Sequence, residues 1–188
     1  MAKLLLVKHA QPQMAPEVNA QRWTLSEAGQ ESCGWLAEAF AREGVRRIYA
    51  SLEPKALETA ALAAAALGLE VRPRADLGEN DRTGVGFASQ EVHVRRFHTF
   101  FDEPAKVSMG TESADAAHAR FSAAVRAAVQ ESAGETLAVV AHGTVITLLV
   151  SRANGLAPFP LWESLGLASY LVLDPDALTW DGRVHARG

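Results

Sequence analysis

The sequence predicts an α/β three-layer sandwich, a mainly parallel central sheet flanked by helices. Two observations carry this reading. Leu4-Leu5-Leu6-Val7 and Thr136 to Ala141 are short, continuous apolar runs, the pattern of strands buried on both faces. Around them, weaker strand-like runs alternate with segments whose apolar residues recur every three to four positions. That rhythm pairs strands in parallel through crossover helices.

After the strand at 4–7, residues 11–25 are rich in Pro, Gln and Asn and read as a loop. Ser26 caps a helix with Glu27 in its first turn; Leu36, Ala37, Phe40 and Ala41 line one face and Gly44 ends it. Arg47-Ile48-Tyr49-Ala50 is a weaker strand. Pro54 suits a first turn, and Lys55 to Leu67 form an alanine-rich helix stopped by Gly68. A short strand covers 69–72. Residues 73–90, with Pro73, Gly78, Gly84 and Gly86, read as a long loop, a length usually reserved for function. Helices are expected at 91–102, 112–131, 145–154 and 160–165, then strands at 169–173 and, on the edge, near 178–185.

Composition narrows the function. With 188 residues, the chain is expected to form one domain over 1–188. Hydrophobic residues are 48% and charged residues 21%, with a net charge of -4, so nothing draws it to nucleic acid or anionic lipid. Its one cysteine, Cys33, excludes an intrachain disulfide and a thiolate-rich metal site and reads as buried filler. No run is long enough to span a membrane, and the apolar start is too short for a signal peptide, so the expected location is cytoplasmic. The expected partner is a small phosphorylated substrate, with a homodimer also open to this chain.

Ligands bind beyond the carboxyl ends of such strands. The first strand runs into Lys8-His9 and the second long apolar strand into His142-Gly143. Ser51 ends the strand at 47–50, with Lys55 just inside the next helix; the loop after the third strand carries Glu79, Asp81 and Arg82. Parallel topology gathers these groups on one edge. Lysines and a helix N-terminus suit phosphate oxygens. A neutral imidazole can accept a phosphoryl group, and a carboxyl group can protonate a leaving oxygen. Asp81 and Glu91 are rival carboxyl groups for that role. The neighbouring lysines argue against a divalent cation between the histidines, so neither metal nor cofactor is expected. His93, Arg95, Arg96 and His98 read as a solvated face, and Phe97, Phe100 and Phe101 as helix packing.

Several blocks resemble the histidine phosphatase (phosphoglycerate mutase-like) superfamily, in the family's order and across nearly the whole chain. They are Leu6-Val7-Lys8-His9-Ala10, Trp23-x-Leu25-Ser26-x-x-Gly29, Ala50-Ser51-x-x-x-Lys55-Ala56-x-Glu58-Thr59-Ala60, Leu77-x-Glu79, Gly110-Thr111-Glu112-Ser113 and Val139-Val140-Ala141-His142-Gly143. The resemblance implies a phosphoglycerate mutase-like fold. It also implies hydrolysis of a phosphomonoester through a phosphohistidine on His9, with Glu79 as acid and then base. His142, as an imidazolium, would hold phosphoryl oxygens with Lys8, Lys55 and Gly143. Lysines stand where the family carries arginines, Ala10 where it carries glycine, and Gln11-Pro12 where glutamate and threonine are common. A lysine cannot grip two oxygens as a fork, a task Arg82 or Arg22 could take over. Arg82, Gln11 and Trp23 are candidate substrate contacts. Mutases of the family carry extra closing segments for which 188 residues leave little room, which favours hydrolysis. The alternatives are a non-catalytic phospho-ligand-binding protein on the same fold, a phosphoprotein phosphatase and a mutase.

Overall fold

The computed structural model describes residues 1–86 and 88–187; Phe87, within the loop predicted over 73–90, and Gly188 lie outside the described residues. Strands β1 (Leu4–Lys8), β2 (Arg47–Ser51), β3 (Val71–Arg74), β4 (Leu137–Ala141) and β5 (Tyr170–Leu173) form one sheet in the order β3-β2-β4-β1-β5. The pairs β1–β4, β2–β4 and β2–β3 are parallel, and β5 runs antiparallel to β1. The helices are α1 (Glu27–Glu43), α2 (Pro54–Ala65), α3 (Gln90–Asp102), α4 (Ala114–Glu131), α5 (Gly143–Asn154) and α6 (Pro158–Ser164). The predicted three-layer sandwich is therefore the observed one.

Strand alternation explains the layers. Leu5 and Val7 point into a core with Leu36 and Phe40 of α1 and Ala56 and Ala60 of α2. Leu4 and Leu6 point the other way, into a core with Phe97 of α3, Phe121 of α4 and Ile146 of α5. Each central strand is covered on both faces, which is why its sequence is apolar throughout. Phe97, Phe100 and Phe101 are buried as expected, and so is Cys33.

Two strand predictions need correction. The third strand is shifted to Val71–Arg74 and contains Pro73. It pairs with β2 alone, and an edge position leaves one side of the strand without ladder partners, so proline's missing N–H can be accommodated there. The edge strand expected near 178–185 forms isolated bridges instead, Tyr170 to His185 and Leu173 to Trp180. Leu178 and Gly182 have φ of 56° and 83°, which interrupts an extended run.

The register places the site. Lys8 lies opposite Ala141, and Ala50 opposite Val140, so the residues just beyond these strands emerge together at one edge. The loop after β1 is anchored by α1. Ser26 caps α1 by accepting the Gly29 N–H and also donates to the Gln11 carbonyl. A Cβ on Gly29 would stand 2.1 Å from that carbonyl oxygen, so only glycine lets helix and loop meet. Gly29→Ala should cost about 2–3 kcal/mol, read as a lowered urea midpoint at unchanged slope. A loss under about 0.5 kcal/mol would show that the contact is not tight.

Candidate active site

His9 follows β1 and is 8% exposed. Its backbone is held on both sides: its N–H donates to Ala141 and its carbonyl accepts from Ala168. The imidazole Nδ1 lies 2.8 Å from the Ala10 carbonyl. Nδ1 must therefore carry the proton, which leaves a lone pair on Nε2. The Lys8 ammonium donates to the Leu165 carbonyl at 2.6 Å. Its stem crosses Gly143, where a Cβ would come within 3.2 Å of Lys8 Cε. Gly143 opens α5, so the glycine is a clearance that lets Lys8 lie beside the helix N-terminus.

His142 is the N-cap residue of α5 and is fully buried. Its ring lies 5.3 Å from that of His9, tilted by 60°. Its Nε2 is 2.8 Å from Ser51 Oγ and 3.4 Å from Glu53 Oε1. Its Nδ1 is buried without a hydrogen-bond partner among the described residues. Lys55, on the first turn of α2, donates to the Ala20 carbonyl at 2.7 Å and to Glu53 Oε2 at 2.5 Å.

Glu79 comes from the loop after β3. Its carboxylate accepts from Arg82 at 3.1 Å, from its neighbour Asn80 at 3.0 Å, and from the Thr144 and Val145 N–H groups of α5 at 3.2 and 3.3 Å. Arg82 also donates to Thr144 Oγ1 and packs over the Phe97 ring. Its guanidinium is thus committed to holding Glu79 rather than left open as a fork.

Other candidates are engaged with their own neighbours. Gln11 is exposed, and its carbonyl serves α1. The Trp23 indole donates back to the Ala15 and Val18 carbonyls. Asp81 is bound by Thr83 and Thr111. Glu91 is surface-exposed and pairs with Arg95. Of the basic face on α3, His93 packs edge-on to Phe97, and His98 stacks on Phe159 of α6.

Burial dominates the electrostatics. It pushes the His9 imidazole down to about 3, aided by His142, Lys55 and Lys8. It pushes His142 down to about 3 as well, against the pull of Glu79. Burial pushes the Glu79 carboxyl group up, but Arg82, His142 and the amide donors overcome it and leave it at about 2. The site at rest holds two neutral imidazoles and an ionised Glu79. These are the resting forms, set by desolvation at His142 and by four donors at Glu79; the cationic His142 and protonated Glu79 expected from sequence refer to the site with phosphate bound.

This has a measurable consequence. An unfolded histidine gains its proton near pH 6.5, and these two do so only near 3. Their contribution to stability is present above about pH 6.5 and is lost as pH falls below it, at roughly 1 kcal/mol per histidine per pH unit. Glu79 adds a loss only below its unfolded value of 4.5. Thermal melts should therefore weaken between pH 7 and 5, and imidazole ¹⁵N shifts of His9 and His142 should stay neutral through that window. A ring titrating near 6.5 would contradict the placement.

Against known proteins, the model of the histidine phosphatase superfamily (branch 1) matches residues 4–185. The chain belongs to this superfamily. Phosphoglycerate mutase-like protein 4 of Arabidopsis thaliana is 29% identical over 164 residues, covering 81% of this chain and 71% of that protein. Among solved structures, mycobacterial glucosyl-3-phosphoglycerate phosphatase Rv2419c superposes with a TM-score of 0.75 at 22% identity, over 97% of this chain and 96% of its own. A phosphoserine phosphatase variant from Entamoeba histolytica, complexed with phosphoserine, gives 0.74 at 17% identity, over 93% and 91%. At these identities the structures establish the shared fold.

Two residues of this histidine phosphatase superfamily member went unmarked in the sequence. Arg120 of α4 donates to the Asp76, Gly78 and Glu79 carbonyls and to Glu112, and so pins the loop that carries Glu79. A signal was present in Gly110-Thr111-Glu112-Ser113, whose Glu112 is Arg120's ion-pair partner. Glu53 gave no signal, since an acid next to a helix start reads as an ordinary first-turn charge.

Proposed function

We propose that the chain is a metal-independent phosphatase that hydrolyses a small phosphomonoester through a phosphohistidine on His9. One observation carries this reading: a neutral His9 has Nδ1 tied to the Ala10 carbonyl, which leaves the lone pair on Nε2, and its ring lies 5.3 Å from that of His142. In the first step the Nε2 lone pair attacks phosphorus and the ester P–O bond breaks. The leaving oxygen takes a proton from Glu79, which the bound phosphoryl charge has raised into its protonated form. In the second step water attacks phosphorus and gives a proton to Glu79. The P–N bond breaks, its electron pair returns to His9, and inorganic phosphate leaves. Lys8 and Lys55 supply the charge that a metal would otherwise bring, and His142 offers a neutral N–H.

A cavity of about 500 Å³ adjoins Glu79 and the contacts that His142 makes with Ser51 and Glu53; Thr111 and Arg120 also line it. It is large enough for the organic part of a small ester, and its polar lining suits a hydroxylated or charged one. Hydrolysis is preferred to mutase transfer because the cavity is open to water. The test is phosphate release from a panel of phosphorylated metabolites that includes phosphoserine and glucosyl-3-phosphoglycerate, with and without EDTA. Turnover of at least one ester, unchanged by EDTA, is expected. Binding of esters with no release would favour a phospho-ligand-binding protein, and loss on chelation with recovery on a divalent ion would make the site metal-dependent.

A further inference from the structure

Glu53 stands inside the cluster of groups just assigned to the phosphoryl group. It is the N-cap residue of α2, yet its side chain makes no cap bond. The carboxylate turns inward instead. Oε2 lies 2.5 Å from Lys55 Nζ, and Oε1 accepts the Glu79 N–H at 2.8 Å and lies 3.4 Å from His142 Nε2. The Glu53 and Lys55 side chains are 11% and 8% exposed. A carboxylate whose two oxygens face a buried ammonium on one side and an imidazole and a backbone amide on the other has the surroundings that a phosphoryl group seeks. Lys55 has three protons to donate. One goes to the Ala20 carbonyl and one to Glu53.

We propose that Glu53 is a specificity-determining residue: a resident carboxylate that competes with the phosphoryl group for Lys55 and His142. The inference rests on the phosphatase reading. Lys8, Lys55 and Arg82 bring three positive charges, and Glu53 and Glu79 two negative ones. The net is +1 with both imidazoles neutral, and it would be +2 without Glu53. A phosphate dianion must displace Glu53 from its partners or bind beside it against repulsion. An ester can offset that cost through its organic part in the adjoining cavity. Inorganic phosphate has no such part, so Glu53 disfavours the product more than the substrate and speeds its release.

The experiment measures affinity for inorganic phosphate and for vanadate by calorimetry in the parent, Glu53→Gln and Glu53→Ala, with KM and kcat for one hydrolysed ester. Glutamine keeps an acceptor for the Glu79 N–H, and thermal melts establish that each variant is folded. Both variants should bind phosphate about tenfold more tightly, the scale of removing one close, poorly solvated like charge. KM should fall with it, and phosphate should become the stronger product inhibitor. Structural damage would weaken binding, so a gain in affinity belongs to charge removal. If the parent turns over an ester while folded Glu53→Gln and Glu53→Ala bind phosphate equally or more weakly, the competing role of Glu53 is wrong and the phosphatase reading stands. If neither parent nor variants bind phosphate or vanadate and no ester is hydrolysed, both fall together.

Discussion

His9→Ala should reduce turnover of any substrate ester by about 10³-fold or more, and it should remove a covalent adduct that the parent forms. The expectation comes from an imidazole nitrogen at a strand end that keeps its lone pair. His9 Nδ1 is bound to the Ala10 carbonyl, and burial holds the ring neutral down to about pH 3. His142 is a poorer nucleophile, because its Nε2 faces Ser51 and Glu53 and its unpartnered Nδ1 is fully buried. The adduct is a phosphoramidate, labile in acid and stable in base, so the parent should be quenched in alkali during turnover and weighed intact. An added phosphoryl mass on a peptide containing His9, absent from the variant, is the expected result. Turnover without any adduct, together with a His9→Ala variant that keeps activity within about tenfold, would rule out the covalent route.

Glu79→Gln should separate esters by their leaving groups. An alkyl oxygen leaves as a strong base and needs a proton in the transition state, whereas an aryl oxygen needs little. The kcat for an alkyl phosphate should drop by about 10²–10⁴-fold. For an aryl phosphate, formation of the phosphohistidine should survive while its hydrolysis slows, since no carboxylate remains to take the proton from water. The variant should then show a burst of the phenol and accumulate the adduct. The resting carboxylate is ionised, held at about 2 by Arg82 and amide donors, which is the form that the second step uses. The first step draws on a proton that arrives with, or because of, the substrate's negative charge. An equal loss on both esters with no accumulated adduct would make Glu79 structural. Asp81, bound by hydroxyl groups nearby, would become the next carboxylate to test.

Much of the candidate site was legible because of where parallel strands end. Leu4 to Val7 and Thr136 to Ala141 had to be buried on both faces, and neighbouring parallel strands deliver the residues at their carboxyl ends to a common edge. Lys8, His9, Ser51 and His142 meet there without any need to know a side-chain torsion. The caps of α1 and the apolar face of α3 were readable for the same local reasons. Pro73 misled because it is a strand breaker everywhere except on an edge, and edge position belongs to the sheet as a whole. The direction of β5 likewise depends on the path that α6 and the loop after it take back across β1.

By itself, then, the sequence determined the layers, the strand-end placement of His9 and His142, and the family resemblance carried by its spaced blocks. The charge state of the site was decided only by tertiary structure. Desolvation by surrounding helices and strands keeps both histidines neutral, and four converging donors keep Glu79 ionised, although each residue alone would titrate near its ordinary value. Glu53 became part of the site only when the loop at 78–79 and the start of α5 closed around it. A lone acid at a helix start is drawn to water, and it turns inward here because Lys55, His142 and the Glu79 amide, from three separate elements, together provide what water would have given.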